Sequence, residues 1–222
     1  RSVPYLAAPG GAGLYFYAED VASPYTLENV YWVGGLKGSP MEPSAAAPAG
    51  GSPEASFVDT ARFEVDRYPL PALFQDPAAD FWAWEDVYAG ISGRETKNVA
   101  ATLKGVAGTG SPVLTVRLQG ATSSAAALDH HVRISWNGKV VGEAEWDGAT
   151  PHEAVVTLSA GDVVEGANTL TLTAIRNAGV SVGLFYLDSF DVAYDRLYRA
   201  ADDELAFTLP AGGEAAVGGF TT

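Results

Sequence analysis

The sequence predicts an all-β protein, an antiparallel two-sheet β-sandwich of the jelly-roll, galactose-binding-like kind. Three observations predict it. Apolar and polar residues alternate with the two-residue period of half-buried strands in several stretches between residues 97 and 198. The 25 glycines among 222 residues supply turns at intervals of roughly 8–12 residues, the spacing of short sandwich strands. No segment carries a sustained helical period. With 47% hydrophobic and 18% charged residues, the chain can bury a core of its own.

In chain order, "GLYFYAED" (13–20), "ENVYWVGG" (28–35) and "SFVDTARFEVD" (56–66) read as strands. Between the last two lies the Pro/Ala/Gly/Ser stretch from Ser39 to Ser56, which cannot bury enough apolar surface to order itself and is expected to be a mobile loop. The strands before it are too few to make a sheet alone, so they are expected to complete the sandwich. "PVLTVRL" places Leu114, Val116 and Leu118 on one face against Thr115 and Arg117. "VRISWNGKVVGEAEW" is two strands joined at Asn137-Gly138, residues that accept the positive φ of a type I′ turn. That turn sets Val132, Ile134 and Trp136 on the core side. "NTLTLTA" puts Leu170, Leu172 and Ala174 inward and threonines outward. In "GLFYLDSFDVAYDRLY" the inward set changes parity between Leu187 and Phe190, which predicts a bulge near Asp188-Ser189. The expected organisation is one sandwich over 1–210 followed by a linker-like tail, 211–222.

Composition narrows the function classes. A formal net charge of −14 argues against nucleic acid and anionic membrane surfaces, both of which need clustered Lys and Arg. No run of about 18 apolar residues is present, so no membrane-spanning helix is expected. The chain does not begin with Met, which reads as a processed or excised fragment. It contains no cysteine, which removes disulfides, thiolate metal sites and a cysteine nucleophile together.

Three clusters are candidates for chemistry. "DHHVRISWNG" (129–138) holds two of the three histidines beside an aspartate. In a strand Asp129 and His131 would share one face and His130 the other, so the three cannot converge. His152 and Asp147 are the nearby candidates for a further zinc ligand, and no serine-nucleophile elbow is present. The structural reading, a polar strand start, is favoured. "FWAWEDVY" (81–88) holds Trp82 and Trp84 two residues apart, an arrangement that suits either a sugar-stacking platform or the core, with the core favoured. Asp188 and Asp191, with Asp195 beyond them, offer oxygen ligands for Ca2+, or else a solvated face.

Four segments, "YFYAEDVASPYTLENVYWV" (15–33), "ARFEVDRYPLPALFQDPAADFWAWEDV" (61–87), "LDHHVRISWNGKVVGEAEWDG" (128–148) and "GANTLTLTAIR" with "YLDSFDVAYDRLYRA" (166–200), carry a family likeness. Together they resemble the β-rich region that precedes the catalytic domain in gingipain-like bacterial cysteine peptidases. The resemblance implies a secreted or cell-surface bacterial parent with a C-terminal peptidase domain as this segment's partner. The family's catalytic His and Cys belong to that following domain, so no catalytic residue is carried over. "DHHVRISWNG" then corresponds to a hairpin of the accessory region.

The reading that results is a non-catalytic accessory domain that packs against or regulates its peptidase domain. The alternative is a carbohydrate-binding module of a cell-surface protein, with a glycan stacked on Trp82 or Trp84. A hydrolase built on Asp and Glu is disfavoured, because no carboxylate pair is singled out by spacing.

Overall fold

The computed structural model describes residues 3–18, 29–35, 38–42, 52–74, 80–125, 128–210 and 213–221. The chain divides into two compact units, Arg1–Ala47 and Pro48–Thr222.

In the first unit β1 (Tyr5–Ala7) and β2 (Leu14–Phe16) pair antiparallel, with Tyr5 opposite Phe16. Residues 39–41 run beside β1, where Tyr5 donates its amide to Ser39 O and Met41 donates to Tyr5 O. Where the sequence suggests that the N-terminal strands complete the sandwich, these two form a two-stranded sheet of their own. Residues 29–35, also read as strand, are not in one. Val30, Trp32 and Val33 are strongly exposed, so the apolar alternation there does not mark a buried strand face among the described residues. Residues 43–51, the middle of the loop read at 39–56, lie outside the described residues, as do 75–79 of "QDPAAD".

The second unit is the sandwich. Its strands are β3 (Ser56–Glu64), β4 (Tyr68–Pro69), β5 (Trp82–Ala83), β6 (Glu85–Ala89), β7 (Thr96–Leu103), β8 (Val113–Gly120), β9 (His130–Trp136), β10 (Lys139–Trp146), β11 (Pro151–Thr157), β12 (Gly166–Ala174) and β13 (Gly183–Leu197). One sheet runs β10-β9-β12-β7 and the other β11-β8-β13-β3, with β6 also on β13. All the ladders are antiparallel. From β7 to β13 the chain stays in one sheet only for the β9-β10 hairpin and otherwise crosses to the opposite sheet at each connection, the winding of a jelly roll. Among the described residues, helix is limited to two 3-10 turns, Pro9–Gly11 and Ala160–Asp162.

The core is the expected one. Leu114, Val116, Ile134, Trp136, Leu170, Leu172 and Phe190 are wholly buried and Tyr194 nearly so, and the Tyr194 hydroxyl donates to Lys104 O at 2.9 Å. Asn137 and Gly138 take φ of 50° and 81° and close the β9-β10 hairpin. The bulge also falls where parity places it: opposite β8 the register jumps from Leu187 to Ser189. At the same point the other neighbour of β13 changes from β6, which ends against Leu187, to β3, which begins against Ser189. Asp188 therefore sits at a junction between two strand ends.

Past β13, Phe207 packs on Phe57 and Tyr198. The segment read as a linker is hydrogen-bonded where described: Glu54 donates to Glu214 O, and Gly218 joins Tyr198 and Ala200 through backbone bonds.

Candidate functional site

The histidine cluster is a structural node at one end of the sandwich. Asp129 and His130 are each 1% exposed. The Asp129 carboxylate accepts the Ser124 amide at 2.7 Å and the Gly148 amide at 2.8 Å. His130 Nε2 donates between Thr122 O and Gly148 O, each at 3.1 Å. Its ring stacks on Trp146, which in turn stacks on His152 at 4.9 Å and 8°. Burial lowers the pKa of His152. His131 lies on the other side, between Glu143 at 3.2 Å and Asn177 at 3.1 Å. One expectation is corrected: the carboxylate of Asp129 lies with His130, 3.6 Å from Nε2, and not with His131. Asp129 precedes the first residue of β9, so strand alternation does not govern it. Gly120 makes this packing feasible, because a Cβ there would meet Gly148 O at 2.2 Å and His130 Nε2 at 2.9 Å.

The two indoles part company. Trp84 lies parallel to Phe190, with centroids 5.8 Å apart and 7° between planes, and packs on the core. Its amide donates to Leu187 O. Trp82, half-buried in the short β4-β5 ribbon opposite Pro69, instead stacks on Phe81, which is 42% exposed.

The two aspartates part as well. Asp191 faces Arg117 at 2.7 Å and Arg62 at 3.7 Å, within a belt of ion pairs that continues from Arg117 to Glu153 and from Arg62 to Glu64. Its charge is met by guanidinium groups. Asp188, at the bulge, accepts the Ser189 hydroxyl at 3.1 Å. Its pKa is raised, first by burial and further by the nearby carboxylates of Glu64 and Asp80, against the opposing effects of Ser189 and Arg62.

Those neighbours belong to a group that the sequence does not announce. Glu64 at the end of β3, Asp66 just after it and Asp80 just before β5 bring carboxylate oxygens within 4.8 Å of one another. They are separated by up to 16 residues, and nothing in their local spacing marks them. Such a convergence of oxygens can hold a cation, metallic or organic. Arg62 already pairs with Glu64 at 2.8 Å, and Asp80 Oδ1 accepts the Trp82 backbone amide at 3.0 Å.

A second charged group ties the sheets together. Lys97 of β7 donates to Glu85 at 3.0 Å and to Asp86 at 2.9 Å, both on β6, and Asp86 also meets Arg94. Burial would lower the pKa of Lys97 and raise that of Asp86, but the hydrogen bonds and charges between them win, so Lys97 is raised and Asp86 lowered.

No protein-family model and no curated protein matches the chain. In fold it is similar to the crystal structure of dimeric latent PorU from Porphyromonas gingivalis, with a TM-score of 0.55 and 15% identity over 91% of this chain and 20% of that one. It is more distantly similar to the CBM36-1 domain of a multidomain xylanase from the hindgut metagenome of Trinervitermes trinervoides (TM-score 0.38, 13% identity, 61% of this chain and 96% of that one). A CBM36 carbohydrate-binding module in complex with calcium and xylotriose gives a TM-score of 0.35 at 14% identity, over 65% of this chain and 95% of that one. At these identities the PorU likeness is one of fold, and the chain spans one fifth of the PorU chain's length. Among the described residues no helix is long and apolar enough to cross a membrane.

Proposed function

We propose that this chain is a non-catalytic β-sandwich domain of a secreted or cell-surface bacterial protein, and that it packs against, orients or restrains a cysteine-peptidase domain C-terminal to it in the same polypeptide. The observation that carries the reading is the fold likeness of 91% of this chain to one fifth of the longer, latent PorU chain. The resemblance of its segments to the pre-catalytic region of gingipain-like peptidases supports the same placement. A chain without cysteine has no thiolate for that family's chemistry, so its part in such a protein is to bind. Tethering raises the local concentration of the partner to about the millimolar range, so a modest interface suffices. Calorimetric titration of the fragment with the separately expressed peptidase domain, with peptide hydrolysis followed in parallel, tests this. Association at tens of micromolar or tighter, or a changed hydrolysis rate, is the expected result. Neither one would leave the domain a spacer.

The second reading is a carbohydrate module, and the half-buried Trp82 stacked on exposed Phe81 favours it. Glycan-array binding that is lost in Trp82→Ala and kept in Trp84→Phe would establish it.

A further inference from the structure

The sheet built around β13 ends on β3, and among the described residues the outer edge of β3 has no partner. The ladder fixes which backbone groups face that edge. Asp195 O accepts the Ala107 amide and the Leu197 amide donates to Gly105 O, so these two residues of β13 turn away from β3. Tyr194 and Arg196 therefore face it, opposite Asp59 and Phe57. By alternation Val58, Thr60 and Arg62 direct their N–H and C=O groups outward. The Thr60 amide agrees, since it donates to Asp59 Oδ1 at 2.9 Å. The strands at the other three ends of the two sheets are blunted. β10 carries a bulge between Val140 and Gly142, β11 opens on Pro151, and β7 is tied to β6 through Lys97. β3 keeps one unbroken register over nine residues, with neither proline nor glycine. Val58, on its outer face, is 72% exposed.

The side chains of β3 favour a second β3 as the occupant. In an antiparallel pair centred on Thr60, Val58 lies opposite Arg62 of the second copy and Ser56 opposite Glu64, while on the inner face Phe57 lies opposite Phe63 and Asp59 opposite Ala61. Outward-facing backbone groups then meet outward-facing groups, and no like charges stand opposite one another. The half-buried Phe57 and Phe63 each gain an aromatic neighbour across the strands. The adjacent registers are worse: centring on Asp59 sets that carboxylate against its own copy, and centring on Ala61 sets Asp59 against Phe63 and Val58 against Glu64. An apolar groove lined by Phe57, Val58, Tyr198, Leu209 and Pro210 opens beside the start of β3. The register centred on Thr60 brings the exposed Val65 of the second copy, just past Glu64, alongside it. We propose that β3 is a homodimer interface, in which two copies of this chain pair antiparallel through β3 about a twofold axis at Thr60 and join their sheets into one. The charge of −14 on each copy opposes the approach, so salt strengthens the association. The inference goes beyond the proposed function and does not depend on it.

Sedimentation velocity of the chain from micromolar to millimolar concentration, at low and at high sodium chloride, tests this. A dimer is expected to grow in with concentration and to be at least about threefold tighter at high salt. Thr60→Pro removes an amide that does not serve the β13 ladder, and Val58→Lys adds a charge opposite Arg62 of the second copy. Each should weaken the dimer by about tenfold or more while leaving the unfolding midpoint near that of the wild type. Should Thr60→Pro fail to fold, Val58→Lys and a cross-linking measurement decide. Because the chain contains no cysteine, Thr60→Cys places a single thiol of each copy at the axis. Directly opposed residues of a hydrogen-bonded pair have Cα atoms about 5.5 Å apart, within reach of a disulfide. Mild oxidation should therefore link Thr60→Cys into a covalent dimer, and should link Val58→Cys at least about tenfold more slowly, since that position faces Arg62 of the second copy. A chain that stays monomeric to millimolar concentration at high salt overturns the proposal. So does a dimer that persists unchanged in Thr60→Pro and Val58→Lys, or equal cross-linking at the two positions.

Discussion

Replacing Asp129 by alanine tests whether the histidine cluster is a structural node. The carboxylate is 1% exposed and accepts two backbone amides, Ser124 at 2.7 Å and Gly148 at 2.8 Å. These donors lie in the two loops that cap the ends of β8 and β10. Removing the acceptor takes a charged partner from two backbone amides, one on exposed Ser124 and one on half-buried Gly148, and empties a site that is itself wholly buried. A hydrogen bond to a charged group contributes about 1.5–3 kcal/mol, and an orphaned buried donor costs a similar amount. Two such bonds sharing one carboxylate do not add fully, so the loss should be about 3–5 kcal/mol, a large part of the roughly 5–15 kcal/mol that holds a domain together. Asp129→Asn keeps one acceptor oxygen but turns an NH2 group towards the second amide, and should cost about 2 kcal/mol. Urea unfolding followed by tryptophan emission reads the change, because Trp136 and Trp146 are both buried. The slope of the transition should stay the same while its midpoint falls. A loss below about 1 kcal/mol for Asp129→Ala would refute the reasoning. So would a fall in wild-type stability on adding a chelator, which would make the cluster a metal site.

Lys97→Met should destabilise the sandwich by about 2–3 kcal/mol, less than a fully buried pair, because the lysine side chain is 27% exposed. The same cluster sets a pH window: the lowered pKa of Asp86 adds stability that is present above the ordinary carboxylate range and lost as pH falls through the folded value, while the raised pKa of Lys97 adds stability present below the ordinary lysine pKa and lost as pH rises through the folded one. Urea midpoints across pH should show both edges in the wild type and a weaker acid edge in Lys97→Met. Trp84→Ala should cost about 2–4 kcal/mol through the vacated contact with Phe190, and Trp82→Ala less than about 1 kcal/mol; equal costs in thermal unfolding would contradict the separation of the two indoles. His152, its pKa lowered by burial, adds stability that is present above the ordinary imidazole value and lost as pH falls through the folded one. His152→Phe should flatten the stability profile between about pH 7 and 5, and an unchanged slope would exclude His152 as its source.

The sequence by itself determined the class of the fold and the inward faces of the sandwich strands. Period-two alternation is a property of the local chain, so Leu114, Val116, Leu170 and Leu172 declare their side wherever the strand sits. The hairpin at Asn137-Gly138 and the bulge at Asp188 were legible for the same reason, one from the φ its residues accept and the other from a break in parity. Alternation misleads at residues 29–35, which are not in a strand although their apolar pattern suggests one, because a side-chain pattern does not by itself build a backbone ladder. Everything that depends on which strands become neighbours was left to the tertiary structure. The pairing of Asp191 with Arg117 and Arg62 spans three strands, and the convergence of Glu64, Asp66 and Asp80 joins the end of one strand to the start of another. The sorting of Trp82 from Trp84 depends on where β5 gives way to β6 beside β13. Charge complementarity is a relation between residues far apart in sequence, set by register and sheet order, and no local spacing records it.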